Sequence, residues 1–231
     1  MNLIRKNLEK LRIIKRKKYH PLIHKIHKKH KISKRTLFYI KEYGPQANIP
    51  KTIIKESIKI LLLASIISSF GGLAMESIKT ILISITPMII LLPTLNDMIG
   101  DYGVIVSSRF STMIHEGKIK GKLFSNKELK KLFLHIFITS LIMAFLSAIF
   151  ALVISNFFNG FNSIVLSLKI IFVVLLDVIL IVNILFFSSI IIGRHIYKKG
   201  EDPNNFLIPI TTSIADFGNM IILSILIIII F

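Results

Sequence analysis

The sequence predicts an all-α, polytopic membrane protein with five transmembrane helices and a cytoplasmic N-terminus. Three observations predict it. The mean hydropathy is +0.71, with 53% apolar residues in 231, more than the remaining polar residues of a soluble domain could cover. Five apolar runs are each long enough to cross a hydrocarbon core, which needs roughly 20 helical residues. Basic residues are concentrated in alternate connections between those runs.

The chain opens on a basic arm, residues 1–50, expected as a separate unit from the five-helix domain at 51–231. Fifteen Lys or Arg stand there against Glu9 and Glu42, so the arm holds +13 of the formal +18. It lacks the apolar core and small-residue cleavage site of a secretory signal, so it is expected to be retained. Leu3, Ile4, Leu8, Leu11 and Ile14 recur at helical spacing among the basic residues. Such a helix is expected on anionic lipid headgroups, where each basic residue contributes about 1 kcal/mol. Nucleic acid is not expected as a partner, because no aromatic platform accompanies the charge. Residues 44–50 read as a linker. His20, His24, His27 and His30 share a helical face, a spacing that suits a transition metal or a pH sensor. Lys17, Lys18, Lys25, Lys28 and Lys29 crowd them, and that field repels cations, so a basic surface helix with incidental histidines is the expectation.

The five spans run from about Ser57 to Met75, Ile81 to Val106, Leu132 to Ser155, Ile164 to Ile192 and Phe206 to Phe231. Their Ile/Leu content is spread all round, as for helices in lipid, and the runs exceed the usual strand length. With the arm in the cytoplasm, 107–131 is also cytoplasmic, carrying Arg109, Lys118, Lys120, Lys122, Lys127, Lys130 and Lys131. So is 193–205, with Arg194, Lys198 and Lys199. The outer connections are the short turn at Glu76–Lys79 and the uncharged 156–163, the positive-inside pattern.

Polar groups at bilayer depth are costly and therefore informative. The second span reads P-M-I-I-L-L-P-T-L-N-D-M-I-G-D from Pro87. Pro87 and Pro93 each lack a backbone donor, and carbonyls freed this way can face a cavity. Asn96, Asp97 and Asp101 follow, the two carboxylates four apart and on one helical face. The fifth span repeats the theme as P-I-T-T-S-I-A-D-F-G-N, with Thr211, Thr212 and Asp216. Such groups either hold helices together or line a wet path. No Lys, Arg or His stands at matching depth in either span, which favours the path. Lys169 lies near the outer end of the fourth span and can snorkel outward. Asp177 in that span fits both readings: it could reach Lys169 through water, bond Asn183 or line the path.

Carboxylate, amide, hydroxyl and freed carbonyl are oxygen donors, which suit hard cations such as Mg2+ and Ca2+. A proton path would use the same residues. Zero cysteines exclude thiolate metal sites and disulfides. No cofactor is expected, nor an enzyme: Glu116, Glu128, Glu201 and Asp202 sit in short basic loops without a nucleophile–base pair or phosphate-binding glycine loop.

At two stretches the sequence resembles the membrane domain of MgtE-type magnesium transporters, and more closely the solute carrier 41 half-repeat. They are P-T-L-N-D-M-I-G-D-Y-G-V-I-V-S-S-R-F-S-T-M-I-H-E-G (93–117) and D-P-N-N-F-L-I-P-I-T-T-S-I-A-D-F-G-N (202–219). The resemblance covers about 55–231. It implies a homodimer, or association with a related half, with Mg2+ as the transported ion. The path would follow the two-fold axis, lined by the second and fifth spans. Asp216 matches the family's pore aspartate, and Thr211 and Thr212 match the hydroxyls before it. Asp101 stands where the family usually has the Asn of Gly-Asn, and Asp97 adds a carboxylate, which makes the entrance more acidic. The large acidic sensor of many family members has no counterpart in the basic arm, so lipid contact is the expected regulation. A proton- or sodium-coupled exchanger using the same aspartates, and a membrane scaffold without transport, are the competing readings.

Overall fold

Residues 19–32, 37, 49–119, 126–160, 163–199 and 202–231 are described by a computed structural model of the chain. The surface helix expected over 3–14 lies outside them, as do residues 44–48 of the expected linker and Lys120 and Lys122. The helices are α1 (Tyr19–His30), α2 (Ile49–Ser77), α3 (Lys79–Ser84), α4 (Thr86–His115), α5 (Lys127–Asn159), α6 (Ile164–Lys199) and α7 (Pro203–Ile230). Five of them, α2 and α4 to α7, are long and apolar enough to span a membrane.

Local sequence sets the helix ends. Asn126 caps α5, its side-chain oxygen accepting from the backbone N–H groups of Glu128 and Leu129 at 2.9 and 3.3 Å. The same helix stops at Gly160, whose φ of +82° favours glycine. Asp202 caps α7 through the Asn204 N–H at 3.0 Å, with Pro203 in the first turn. Inside α1 lie all four histidines of the row; the His27 ring nitrogen bonds the Ile32 carbonyl at 2.6 Å. The side chains of His20 and His24 lie outside the described residues.

The second span departs from the sequence expectation. It is broken at Ile85 into α3 and α4, and Pro87 falls in the first turn of α4. There the missing N–H would have had no helical partner, so Pro87 starts a helix and frees no carbonyl. Pro93 is inside α4 and does remove one ladder bond.

At the centre of the bundle is α7, packed against α2, α4 and α6, while α5 lies against α4 and α6 on the far side. The core between α4, α6 and α7 is apolar, with Leu91, Leu95, Phe110, Ile181 and Leu223 fully buried. Glycines permit the closest approaches. A Cβ on Gly193 would lie 2.5 Å from the Phe110 ring, and one on Gly71 of α2 would lie 2.8 Å from Met220 Sδ of α7. Small residues at such crossings let backbones approach, the main source of helix attraction in lipid. Phe133 of α5 meets Phe186 of α6 with ring centroids 4.8 Å apart.

Candidate functional site

Halfway along α7, Asp216 is half-buried and turned towards two other helices. Its Oδ1 accepts from Asn96 Nδ2 of α4 at 3.1 Å, and its Oδ2 accepts from Ser68 Oγ of α2, also at 3.1 Å. Asn219, one turn further along α7, donates to Asn96 Oδ1 at 3.2 Å, and its own carbonyl oxygen is buried without a hydrogen-bond partner among the described residues. The amides thus form a chain that ends on the carboxylate. Every donor to Asp216 is neutral, and no Lys, Arg or His pairs with it among the described residues. The carboxyl is therefore oriented by its neighbours and receives no countercharge from the described residues.

One helical turn and more towards the N-terminus of α7, Thr211 joins α7 to α4. Its hydroxyl donates to the Leu207 carbonyl at 2.8 Å and lies 2.9 Å from Ser107 Oγ and 3.2 Å from the Gly103 carbonyl. A Cβ on Gly103 would stand 3.3 Å from the Thr211 carbonyl, so the two backbones touch here. Thr212 turns the other way and bonds back to the Ile208 and Pro209 carbonyls, both at 3.0 Å. Pro209 cannot donate to the Asn205 carbonyl, and Ser57 Oγ of α2 supplies a long bond there at 3.5 Å. Ser213 completes the α2–α7 seam by donating to the Ala64 carbonyl at 2.8 Å.

Of the residues expected from sequence, Asp216 and Asn96 come together directly. Thr211 and Thr212 lie beside them on α7. Asp97 and Asp101 share one face, as their spacing requires, but that face is exposed along with Pro93 and Ile105. No group of three or more His, Asp or Glu that could hold a metal forms among the described residues. Asn219, which the sequence sets on the helical face of Thr212 and Asp216, joins the network through Asn96. Ser68 and Ser107 join it without a mark in the sequence; Ser68 is one of several serines in the first span.

One expectation for α6 is corrected. Lys169 extends to the end of α7, where its ammonium donates to the Ile230 carbonyl at 2.6 Å and stands 5.4 Å from the Phe231 ring. Asn183 donates to the Ile179 carbonyl of its own helix at 2.7 Å. Neither touches Asp177, which is fully buried with both oxygens unpartnered among the described residues.

A bundle of five apolar spans, with carboxylate, amide and hydroxyl groups gathered where three helices meet, defines a multi-pass membrane protein with a polar cluster inside its bundle. The MgtE divalent cation transporter family matches residues 92–226, from α4 through most of α7, and the chain belongs to it. Divalent cation transport is the activity of that family. The match leaves out α2, which the resemblance drawn from sequence had included. No curated protein and no solved structure matches the chain.

Proposed function

We propose that the chain transports divalent cations, Mg2+ first among them, along a path lined by α4 and α7 and completed by a second copy. The observation that carries this reading is the Asp216 carboxylate, held by two neutral donors and by no cation among the described residues. Two such carboxylates facing each other across a two-fold axis offset one divalent charge. Five helices do not readily enclose a pore, and symmetric pairing supplies the missing wall. Mg2+ gives up its waters reluctantly, so Asp216, Asn96 and Thr212 bind it through the hydration shell. Thr211 keeps α4 and α7 at fixed separation beside that point. Asp97 and Asp101 form an acidic entrance on the open face of α4 and concentrate cations there.

The N-terminus lies in the cytoplasm, a reading supported by the basic arm and by the Lys and Arg residues around the α4–α5 and α6–α7 connections. On that side the arm contacts anionic headgroups and tunes transport; deleting residues 1–45 should weaken the dependence of flux on lipid charge.

The test is ion flux into proteoliposomes, comparing wild type with Asp216→Ala at matched incorporation. Mg2+ entry that the substitution abolishes supports the path. Wild type silent to Mg2+, Ca2+, Mn2+ and Co2+, with and without a proton gradient, overturns it.

A further inference from the structure

Away from the ion path, a groove of about 480 Å³ opens between the C-terminal half of α4 and the first turns of α5. Ile105, Leu132 and Ile136 give it an apolar wall, and Arg109 and Lys131 stand among its lining residues. Both basic side chains are exposed and neither has an ion-pair partner among the described residues. The acidic Glu116 of the same lining is already engaged by Lys118 at 2.6 Å, and that carboxylate holds the Lys118 ammonium above its usual range. Glu128 and His135 are the other titratable side chains at the rim, with Tyr102 deeper in the groove.

Depth matters as much as charge. The 33 residues of α5 extend about 50 Å, some 20 Å more than a hydrocarbon core. Its first turns therefore rise into the headgroup zone, and Arg109, less than two turns from the end of α4, lies on the same side. An apolar wall below two unpaired cations at headgroup level matches a molecule with a phosphate above and a hydrocarbon chain below. Arginine suits phosphate oxygens because its planar fork donates two parallel bonds. A free phosphate leaves the apolar wall unused.

We propose that this groove binds one anionic phospholipid, its phosphate between Arg109 and Lys131 and an acyl chain along Ile105, Leu132 and Ile136. The site uses no side chain of the proposed ion path. It rests on that reading only in assigning the lipid to the cytoplasmic leaflet. Bound there, the lipid ties the end of α4 to α5 and so restrains the helix that carries Asn96.

Native mass spectrometry of the full chain, incubated with equal amounts of phosphatidylglycerol and phosphatidylcholine, tests it. Wild type should retain phosphatidylglycerol about tenfold over phosphatidylcholine, and the R109Q/K131Q variant should lose that preference. Thr139→Phe, which fills the groove without touching its charge, should lower retention of both lipids. It also keeps the test decisive if the double variant does not fold. Equal retention by wild type and both variants, no preference in wild type, or complete displacement of the lipid by inorganic phosphate would each overturn the proposal. Flux is not read, so a silent transport assay leaves the lipid site standing and an absent lipid leaves the ion path standing.

Discussion

Asn96 Nδ2 donates to Asp216 Oδ1 at 3.1 Å, joining α4 to α7 across the middle of the bundle. The bond orients the carboxyl and brings it no countercharge, because an amide contributes a dipole alone. A lysine at position 96 would bring a countercharge. Asn96 instead orients one carboxylate oxygen, as the Ser68 hydroxyl orients the other.

Asp216→Asn keeps the size of the side chain and removes its charge. Mg2+ flux should fall at least about tenfold, equivalent to about 1.4 kcal/mol on the barrier. The thermal midpoint in detergent should stay near that of wild type. A large fall in the midpoint with normal flux per folded protein would make Asp216 a structural residue.

Asn96→Ala removes the orienting amide and strands the donor of Asn219. Flux should fall less than in Asp216→Asn, and the double variant should be no worse than Asp216→Asn alone. That non-additivity, read in a double-mutant cycle, is the signature of one coupled pair. Strictly additive losses would separate the two residues.

Gly103→Val tests the contact of α4 with α7. Its added atoms must displace the Thr211 backbone, 3.3 Å from the first of them. Overpacking of this kind costs about 1–3 kcal/mol, read as a lower thermal midpoint. Thr211→Val, which loses the contact to Ser107 Oγ at 2.9 Å, should cost about 0.5–2 kcal/mol. A neutral Gly103→Val would show that α4 and α7 separate freely.

The absence of cysteine makes the open face of α4 easy to probe. Asp97→Cys introduces a single thiol, and two copies paired across α4 should cross-link in membranes with a short bifunctional reagent. Ile154→Cys, on the exposed side of α5, serves as the control and should stay monomeric under the same conditions. Cross-linking at both positions alike, or at neither, would argue against pairing through this face.

Asp177→Leu addresses the carboxyl buried in α6 with neither oxygen bonded among the described residues. A buried polar group without partners costs about 1–3 kcal/mol, so an apolar replacement of similar shape should leave stability unchanged or raise it. A marked loss of stability would reveal a bond that Asp177 makes in the membrane.

Much of this arrangement is legible in the sequence because lipid imposes a harsh rule. A polar side chain within an apolar run of roughly 20 residues has few reasons to be there. Asp216 and Asn96 stand out on that ground, and the four-residue spacing of Asp97 and Asp101 fixes their shared face. What stayed hidden depends on tertiary neighbours. Ser84, Thr86 and Pro87 around Ile85 are the kind of residues that start a helix, but single polar residues also occur inside spans, so they do not decide the break. Pro87 reads equally as a kink or a start until the helix boundary is known. Ser65, Ser68 and Ser69 are alike in sequence; only the packing of α2 on α7 selects Ser68. The acceptor of Lys169, the Ile230 carbonyl, is 61 positions away and carries no mark in the sequence.

The seam between α2 and α7 bears on how the protein is made. Ser68 waits for Asp216 across 148 positions, and Ser213 reaches back to Ala64 across 149. Apart from α7, α2 has little packing against any span. As the ribosome releases the chain, α2 therefore enters the bilayer well ahead of its partner, its Ser68 hydroxyl and Gly71 notch unfilled until α7 is inserted. The arrival of α7 seats α2 and completes the hydrogen bonds around Asp216 in one event. A chain stalled before α7 has neither, so an unseated α2 marks a molecule that also lacks the Asp216 cluster.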